Sequence, residues 1–482
     1  MSELLNAKLI INGQEVPAAD SETFEVLAPA TEQCLGAAAK AGPADVDAAV
    51  AAARQGFEAW CDLAPGAREA ILLRAADIVA DQGSERMLDL LIDESGSTIN
   101  KARGEIAYTV DLLRTAAGEV RRLYGDTFPN DRVDRISMVY REPVGVVAVV
   151  SPYNAPLSLT AKMSVFPLAA GNSIVLKPSE ETPLIAVEFS RILNEAGMPP
   201  GVVNVVTGFP DDCGSPLVSH PGIDCIALTG STVTGVVVGS AAVQHMRRVQ
   251  LELGGKSAIL VLRDADPADA ARIVSDGMFA HAGQICMANS RIVVEQPVFD
   301  AFSAELKRHL EEMPLGDLRD PTTAYGPLIN RNALQKVQAH QADALDRGAT
   351  LLTGGTARRG LTYEPTIVIE PPRDSTLWRD ESFGPIASLV SALNLDDAIK
   401  IANDSVYGLS AAVITENLQW AFRAARRIRA GSVHIGMHAF QSNALAPIGG
   451  VGMSGVGRSG GKYSIEEFTE LKWVSVELGG AA

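Results

Sequence analysis

The hydrophobic pattern changes period along the chain. Between residues 44 and 123, Val46, Val50, Ala53, Phe57 and Trp60 recur at three- and four-residue steps, and a second such stretch runs from Ala67 to Ile92. That spacing gathers apolar side chains on one face of a helix, so helices are expected here. From Val144 onward short β-branched runs take over: Val146–Val150, Ser173–Lys177, Val202–Val206, Cys225–Leu228 and Val249–Leu251. Helical stretches separate them at Leu157–Ala170, Thr182–Ala196 and Thr232–Val243. Near-continuous apolar strands alternating with helices mark a parallel sheet covered on both faces. The pattern predicts an α/β chain with a doubly wound, Rossmann-like unit.

A second α/β unit follows. Its strands are expected at Ala258–Leu262, Arg291–Val294, Thr366–Ile369, Ile386–Val390, Leu409–Ile414 and Ser432–Ile435. Its helices are expected near 266–280, 297–312, 329–347, 395–403 and 416–430. Segments 134–142 and 469–477 are β-prone yet lie outside both alternations, as arms that pair with another element or another subunit would.

Composition narrows the classes. With 482 residues, 47% hydrophobic and 21% charged, the chain is long enough for two to four globular domains. A net charge of −17 repels phosphate backbones and anionic lipid, so neither nucleic acid nor a membrane surface is expected as partner. Five cysteines with no CxxC and no Cys/His cluster argue against a disulfide framework or a metal site. The first residues lack a basic segment followed by an apolar one, and no run approaches 18 apolar residues. A cytoplasmic protein is the expectation.

Candidate chemistry gathers at strand ends. Thr229-Gly230-Ser231-Thr232 follows a strand and opens a helix, where backbone N–H groups can face a phosphate. An ordinary turn with a Ser/Thr cap would look the same. Lys177-Pro178-Ser179-Glu180 closes the second strand, and a carboxylate there can bond an adenosine ribose. Glu180 would favour NAD over NADP, because a 2′-phosphate meets a like charge; a surface Lys and Glu is the bland alternative. Cys286 sits in a loop between a helix and a strand, where reactive groups are displayed, although loop cysteines are commonly inert. Glu252 and Asn154, each at or just past a strand end, could converge on it.

Three motif matches mislead. Gly450–Gly455 fits GxGxxG without a preceding strand and reads as a glycine-rich loop. Gly254-Gly255-Lys256-Ser257 is half a P-loop whose first glycine is replaced by Gln250. Gly457–Gly461 fits GxSxG, but no histidine follows His438 to complete a hydrolase triad.

In order, Pro152-Tyr153-Asn154-Ala155-Pro156, Lys177–Glu180, Thr229-Gly230-Ser231, Glu252-Leu253-Gly254-Gly255, Gly283-Gln284-Ile285-Cys286, Glu381-Ser382-Phe383-Gly384-Pro385 and Gly449-Gly450-Val451 resemble the aldehyde dehydrogenase superfamily over almost the whole chain. The resemblance implies that Cys286 is the nucleophile, that the Asn154 amide and the Cys286 N–H hold the oxyanion, and that Glu252 is the base that hydrolyses a thioester. It implies NAD contacts at Ser151, Lys177, Ser179, Glu180, Gly230, Ser231, Leu253, Glu381 and Phe383, and a substrate pocket with Tyr153, Ala155, Ile285 and Met287. It implies a cofactor domain (1–124 with 144–251), a catalytic domain (252–448) and bridging segments with an oligomerisation arm (125–143 and 449–482), in a homodimer or homotetramer. Glu252 also separates the chain from the CoA-acylating branch, which lacks that base.

Ala155, Met287, the loop within Val433–Pro447 and the C-terminal Gly460–Trp473 are similar to benzaldehyde, salicylaldehyde and vanillin dehydrogenases. Tyr153 for the usual Trp, Ile448 for Phe and Gly452 for Lys depart from the family pattern. An aliphatic or semialdehyde substrate is the alternative, and a cysteine esterase without redox chemistry is the alternative of a different class.

Overall fold

A computed structural model describes residues 5–478; residues 1–4 and 479–482, the outermost parts of the expected cofactor domain and arm, lie outside the described residues. The first sheet is built on five parallel strands, Val146–Val150, Ser173–Lys177, Val203–Val205, Cys225–Thr229 and Arg248–Glu252. The third, second, first, fourth and fifth stand side by side in that order, so the strand order reverses beside Val146–Val150. Such a switch point opens a crevice at the carboxyl ends of the strands. Leu9–Ile11 and Gln14–Val16 extend one edge antiparallel, and Gly455–Val456 pairs antiparallel with Leu251 and Glu252 at the other.

The GxGxxG segment is thus not only a loop: its last glycine begins a two-residue strand on the sheet edge. Residue 252, the expected start of the second domain, is the last strand residue of the first sheet.

The second sheet has six parallel strands, Ala258–Val261, Arg291–Glu295, Thr366–Ile369, Ile386–Ala392, Ser410–Ile414 and Ser432–Ile435, with Thr350–Thr353 antiparallel on one edge. The helices sit within a few residues of their expected positions, with one correction. The 67–92 stretch is two helices, Pro65–Ala80 and Gln82–Ser95, because Asp81 leaves the helical region with ψ −97°. Continuous apolar periodicity hid that break. Strands Leu5–Ala7, Thr23–Ala28 and Gln33–Ala39 form a small separate sheet.

The β-prone segments pair with each other. Arg135–Pro143 and Thr469–Glu477 run antiparallel from Thr469 opposite Pro143 to Glu477 opposite Arg135, with Asp126–Phe128 as third strand. Trp60, Val46, Val50 and Ala53 are buried as the helical spacing predicts, and the Trp60 indole donates to the Leu168 carbonyl at 2.9 Å. Among the described residues no helix is long and apolar enough to cross a membrane, and no cluster of metal-ligating side chains occurs.

Candidate active site

A cleft of about 430 Å³ lies at the carboxyl ends of the first sheet, and residues of the second sheet's connections close its other side. Cys286, Asn154 and Glu252 all line it, from three distant stretches of chain. So do Ser151, Tyr153, Lys177, Ser179, Glu180, Gly230, Ser231, Leu253, Glu381 and Phe383. Ala155, Ile285 and Met287 do not. Tyr153, expected beside substrate, faces the expected cofactor contact Phe383 edge-on, at 5.9 Å between ring centres. Phe383 holds φ 52°, a strained region for an aromatic residue.

Local chemistry explains how the pieces meet. Gly254 and Gly255 follow the strand that ends at Glu252, and a side chain at either would crowd another segment of the site. A Cβ at Gly254 would lie 2.4 Å from a Glu381 carboxylate oxygen, and one at Gly255 would lie 2.4 Å from the Cys286 carbonyl. The Gly255 N–H donates to Glu381 Oε1 at 2.9 Å. What reads as half a P-loop is therefore a close crossing of three site segments.

The Gly230 N–H donates to the Glu252 carbonyl at 3.0 Å, which ties the 229–232 turn to the same strand end. Ser231 caps the helix Thr232–Gln244, its hydroxyl accepting from the Thr234 N–H at 3.1 Å, as the bland reading of this turn requires. Lys177 Nζ donates to the Pro178 carbonyl at 2.9 Å and lies 3.4 Å from Glu180.

Asn154 is buried, and its Nδ2 donates to the Gln284 carbonyl at 2.8 Å, which leaves its second N–H for a ligand oxygen. Burial pushes the Cys286 thiol up to about 12; Glu381 and Glu252 add to the rise, opposed by Lys162 and the Met287 N–H. Burial likewise pushes Glu252 up to about 7, opposed by Lys162 and Arg458. Glu252 Oε1 has no hydrogen-bond partner. An unsatisfied buried carboxylate beside a thiol is a costly arrangement, and costs of this kind concentrate at reactive sites.

The motifs pass over Lys162. It lies 4% exposed on the helix Pro156–Ala170, where its charge acts on both Glu252 and Cys286. One lysine in an otherwise uncharged helix is the signal that could have found it. Asn330, which donates to Glu181 at 2.7 Å, and Lys336 also line the cleft without any motif. A second depression, lined by Tyr108, Asp111, Arg114, Thr115 and Ser442–Leu445, shares no residue with the cleft.

The cleft fits a dinucleotide. The Lys177–Glu180 pair, the 229–232 turn, the Cys286 thiol, the Asn154 amide and the Glu252 carboxyl all contribute to its wall. The buried Thr229 hydroxyl in that turn has no partner. Its volume lies in the range of small-molecule sites, roughly 300–1,000 Å³.

Comparison with known proteins agrees in class. A family model described as the aldehyde dehydrogenase family matches residues 16–474. A vanillin dehydrogenase of Pseudomonas fluorescens is 37% identical over 479 residues, 99% of each chain. An NADP(+) succinate-semialdehyde dehydrogenase of Escherichia coli strain K12 is 34% identical, again over 99% of each. A crystal structure of PnpE in complex with nicotinamide adenine dinucleotide has a TM-score of 0.96 at 35% identity, covering 99% of each chain.

Proposed function

Since the chain belongs to the aldehyde dehydrogenase family, we propose that it oxidises an aromatic aldehyde, of the benzaldehyde, salicylaldehyde or vanillin type, to the carboxylic acid with NAD. The observation that carries the reading is the meeting of Cys286, Asn154 and Glu252 in one cleft with Lys177 and Glu180. In it the Cys286 sulfur bonds to the aldehyde carbon, and the thiol proton passes to a base. The resulting oxyanion accepts from the Asn154 amide and the Cys286 N–H; one such donor is worth about 10²–10³ in rate. A nicotinamide held in the cleft would supply the two-electron acceptor for the hydride lost as the thiohemiacetal becomes a thioester. Glu252 then takes a proton from water, the hydroxide adds to the thioester carbon, the C–S bond breaks and the acid leaves.

Burial holds the Cys286 thiol neutral at pH 7, so it loses its proton as the C–S bond forms, and Glu252, poised near 7, serves the later attack of water. Lys177, Ser179 and Glu180 would hold the adenosine ribose, Gly230 and Ser231 the pyrophosphate, and Glu381 and Phe383 the nicotinamide end. NAD is favoured over NADP because the Glu180 carboxylate would repel a 2′-phosphate. The aromatic reading is supported by the vanillin dehydrogenase relative. The semialdehyde reading is favoured by the succinate-semialdehyde relative.

The assembly is a homodimer or homotetramer acting in the cytoplasm. The test is a panel of benzaldehydes, semialdehydes and straight-chain aldehydes, each with NAD and with NADP. Benzaldehydes with NAD should show the highest kcat/KM. Cys286→Ala should abolish NADH formation and keep NAD binding; retained turnover would overturn the scheme.

A further inference from the structure

Helix Ile99–Val120 carries two charged side chains that stay out of the cleft and yet grip its asparagine. Lys101 Nζ donates to the Asn154 carbonyl at 2.8 Å and to Glu105 Oε2 at 2.6 Å. The other Glu105 oxygen accepts from the backbone N–H groups of Leu157 and Ser158, at 2.9 and 3.0 Å. Glu105 is only 6% exposed. The helix Pro156–Ala170 cannot cap itself, because Ala155 offers no side-chain acceptor. Residues 154–158 are therefore pinned from one side by an ion pair on a neighbouring helix.

The other side is equally constrained. Asn154 Nδ2 donates to the Gln284 carbonyl. The Gln284 side chain accepts from the Ile329 N–H at 2.9 Å and donates to the Pro327 and His281 carbonyls at 3.2 Å. His281 and Ala282, just before it, hold φ 49° and 55°, a strained pair that persists only where its surroundings impose it. The amide is thus held between two rigid supports, one of which depends on the Lys101–Glu105 pair.

We propose that Lys101 and Glu105 are positioning residues for turnover, holding the Asn154 amide where the oxyanion forms. The inference rests on the reading of Asn154 as oxyanion donor. The competing view is that the pair only stabilises the helix, and a cycle of variants separates the two. A displacement of about 1 Å at a reacting centre can cost about 10² in rate. Lys101→Met is therefore expected to lower kcat by roughly tenfold to 10², with the Kd for NAD changed less than about twofold. Lys101→Arg, which restores the charge, should recover most of the loss.

If the pair acts through Asn154, adding Lys101→Met to Asn154→Ala should change kcat less than about twofold, since the donor is already gone. Hydrolysis of p-nitrophenyl acetate by Cys286 needs the same oxyanion site but no NAD, and should fall in parallel. A Lys101→Met enzyme with unchanged kcat, or one whose loss is the same in the Asn154→Ala background, overturns the proposal. Should Lys101→Met fail to fold, Glu105→Gln carries the same cycle: it keeps an acceptor for the two N–H groups and loses the ion pair. If the wild type oxidises no aldehyde but hydrolyses the ester, the dehydrogenase reading falls and the ester arm still decides the positioning role. Inactivity of the wild type in both assays overturns both.

Discussion

At the residue scale, Glu252 shows how reactivity and stability oppose each other. Burial lifts its carboxyl from 4.5 to about 7, so the folded chain holds this proton more tightly than the unfolded chain does. Stability from that preference is present below about pH 4.5 and is lost as pH rises through about 7. Full ionisation then costs at most about 3 kcal/mol. Glu252→Gln should therefore melt higher than the wild type at pH 8.5, with a smaller difference at pH 5. An equal difference at both, read by thermal unfolding, would contradict this. The same variant should complete one round of hydride transfer and then stall as the thioester. Single-turnover NADH formation should survive in stopped flow, while the steady-state rate falls by about 10²–10⁴. A barely changed steady state would mean that another base operates.

At the element scale, two helices that begin beside the site borrow their caps. Pro156–Ala170 starts at Ala155 and takes its acceptor from Glu105. Pro183–Glu195 starts at Thr182, whose side chain caps nothing, and takes both oxygens of Glu94, from the Leu184 N–H at 2.6 Å and the Ile185 N–H at 2.9 Å. Burial pushes the Glu94 carboxyl up to about 8, and these two N–H groups oppose the rise. Glu94→Ala should destabilise the chain by about 2 kcal/mol and Glu94→Gln by clearly less, read from urea midpoints. Equal losses would mean that the cap matters less than the packing around it.

Such remote caps could not be read from sequence, since Glu94 and Glu105 lie 90 and 52 residues from the N–H groups they serve. The helices themselves could be read, because their apolar period is local. The break at Asp81 could not, as the periodic residues continue on both sides of it. Three-residue strands such as Leu5–Ala7 and Leu9–Ile11 are too short to establish an alternation.

At the scale of the whole molecule, apolar side chains crowd two exposed faces. Val233, Val237, Val243 and Met246 stand out from or just beyond the helix Thr232–Gln244, with Met246 91% exposed. Leu471 and Trp473 are exposed on the outer strand of the three-stranded sheet, with Tyr140 on its neighbour. Apolar faces of this kind mark association surfaces, in line with the proposed homo-oligomer. Val237→Lys should shift the molar mass in light scattering toward a smaller species. An unchanged mass would place the contact elsewhere.

Sequence alone determined the architecture of the two α/β units, because apolar period and strand-end chemistry act over a few residues. It also marked Cys286, Asn154 and Glu252 as residues of the right type at the right kind of place. Only the tertiary structure decided that they share a cleft, that Tyr153 faces Phe383, and that Lys162, Lys101 and Glu105 stand behind them. The physical reason is one of range: packing and burial join groups far apart in the chain, and no local pattern records which of them will touch.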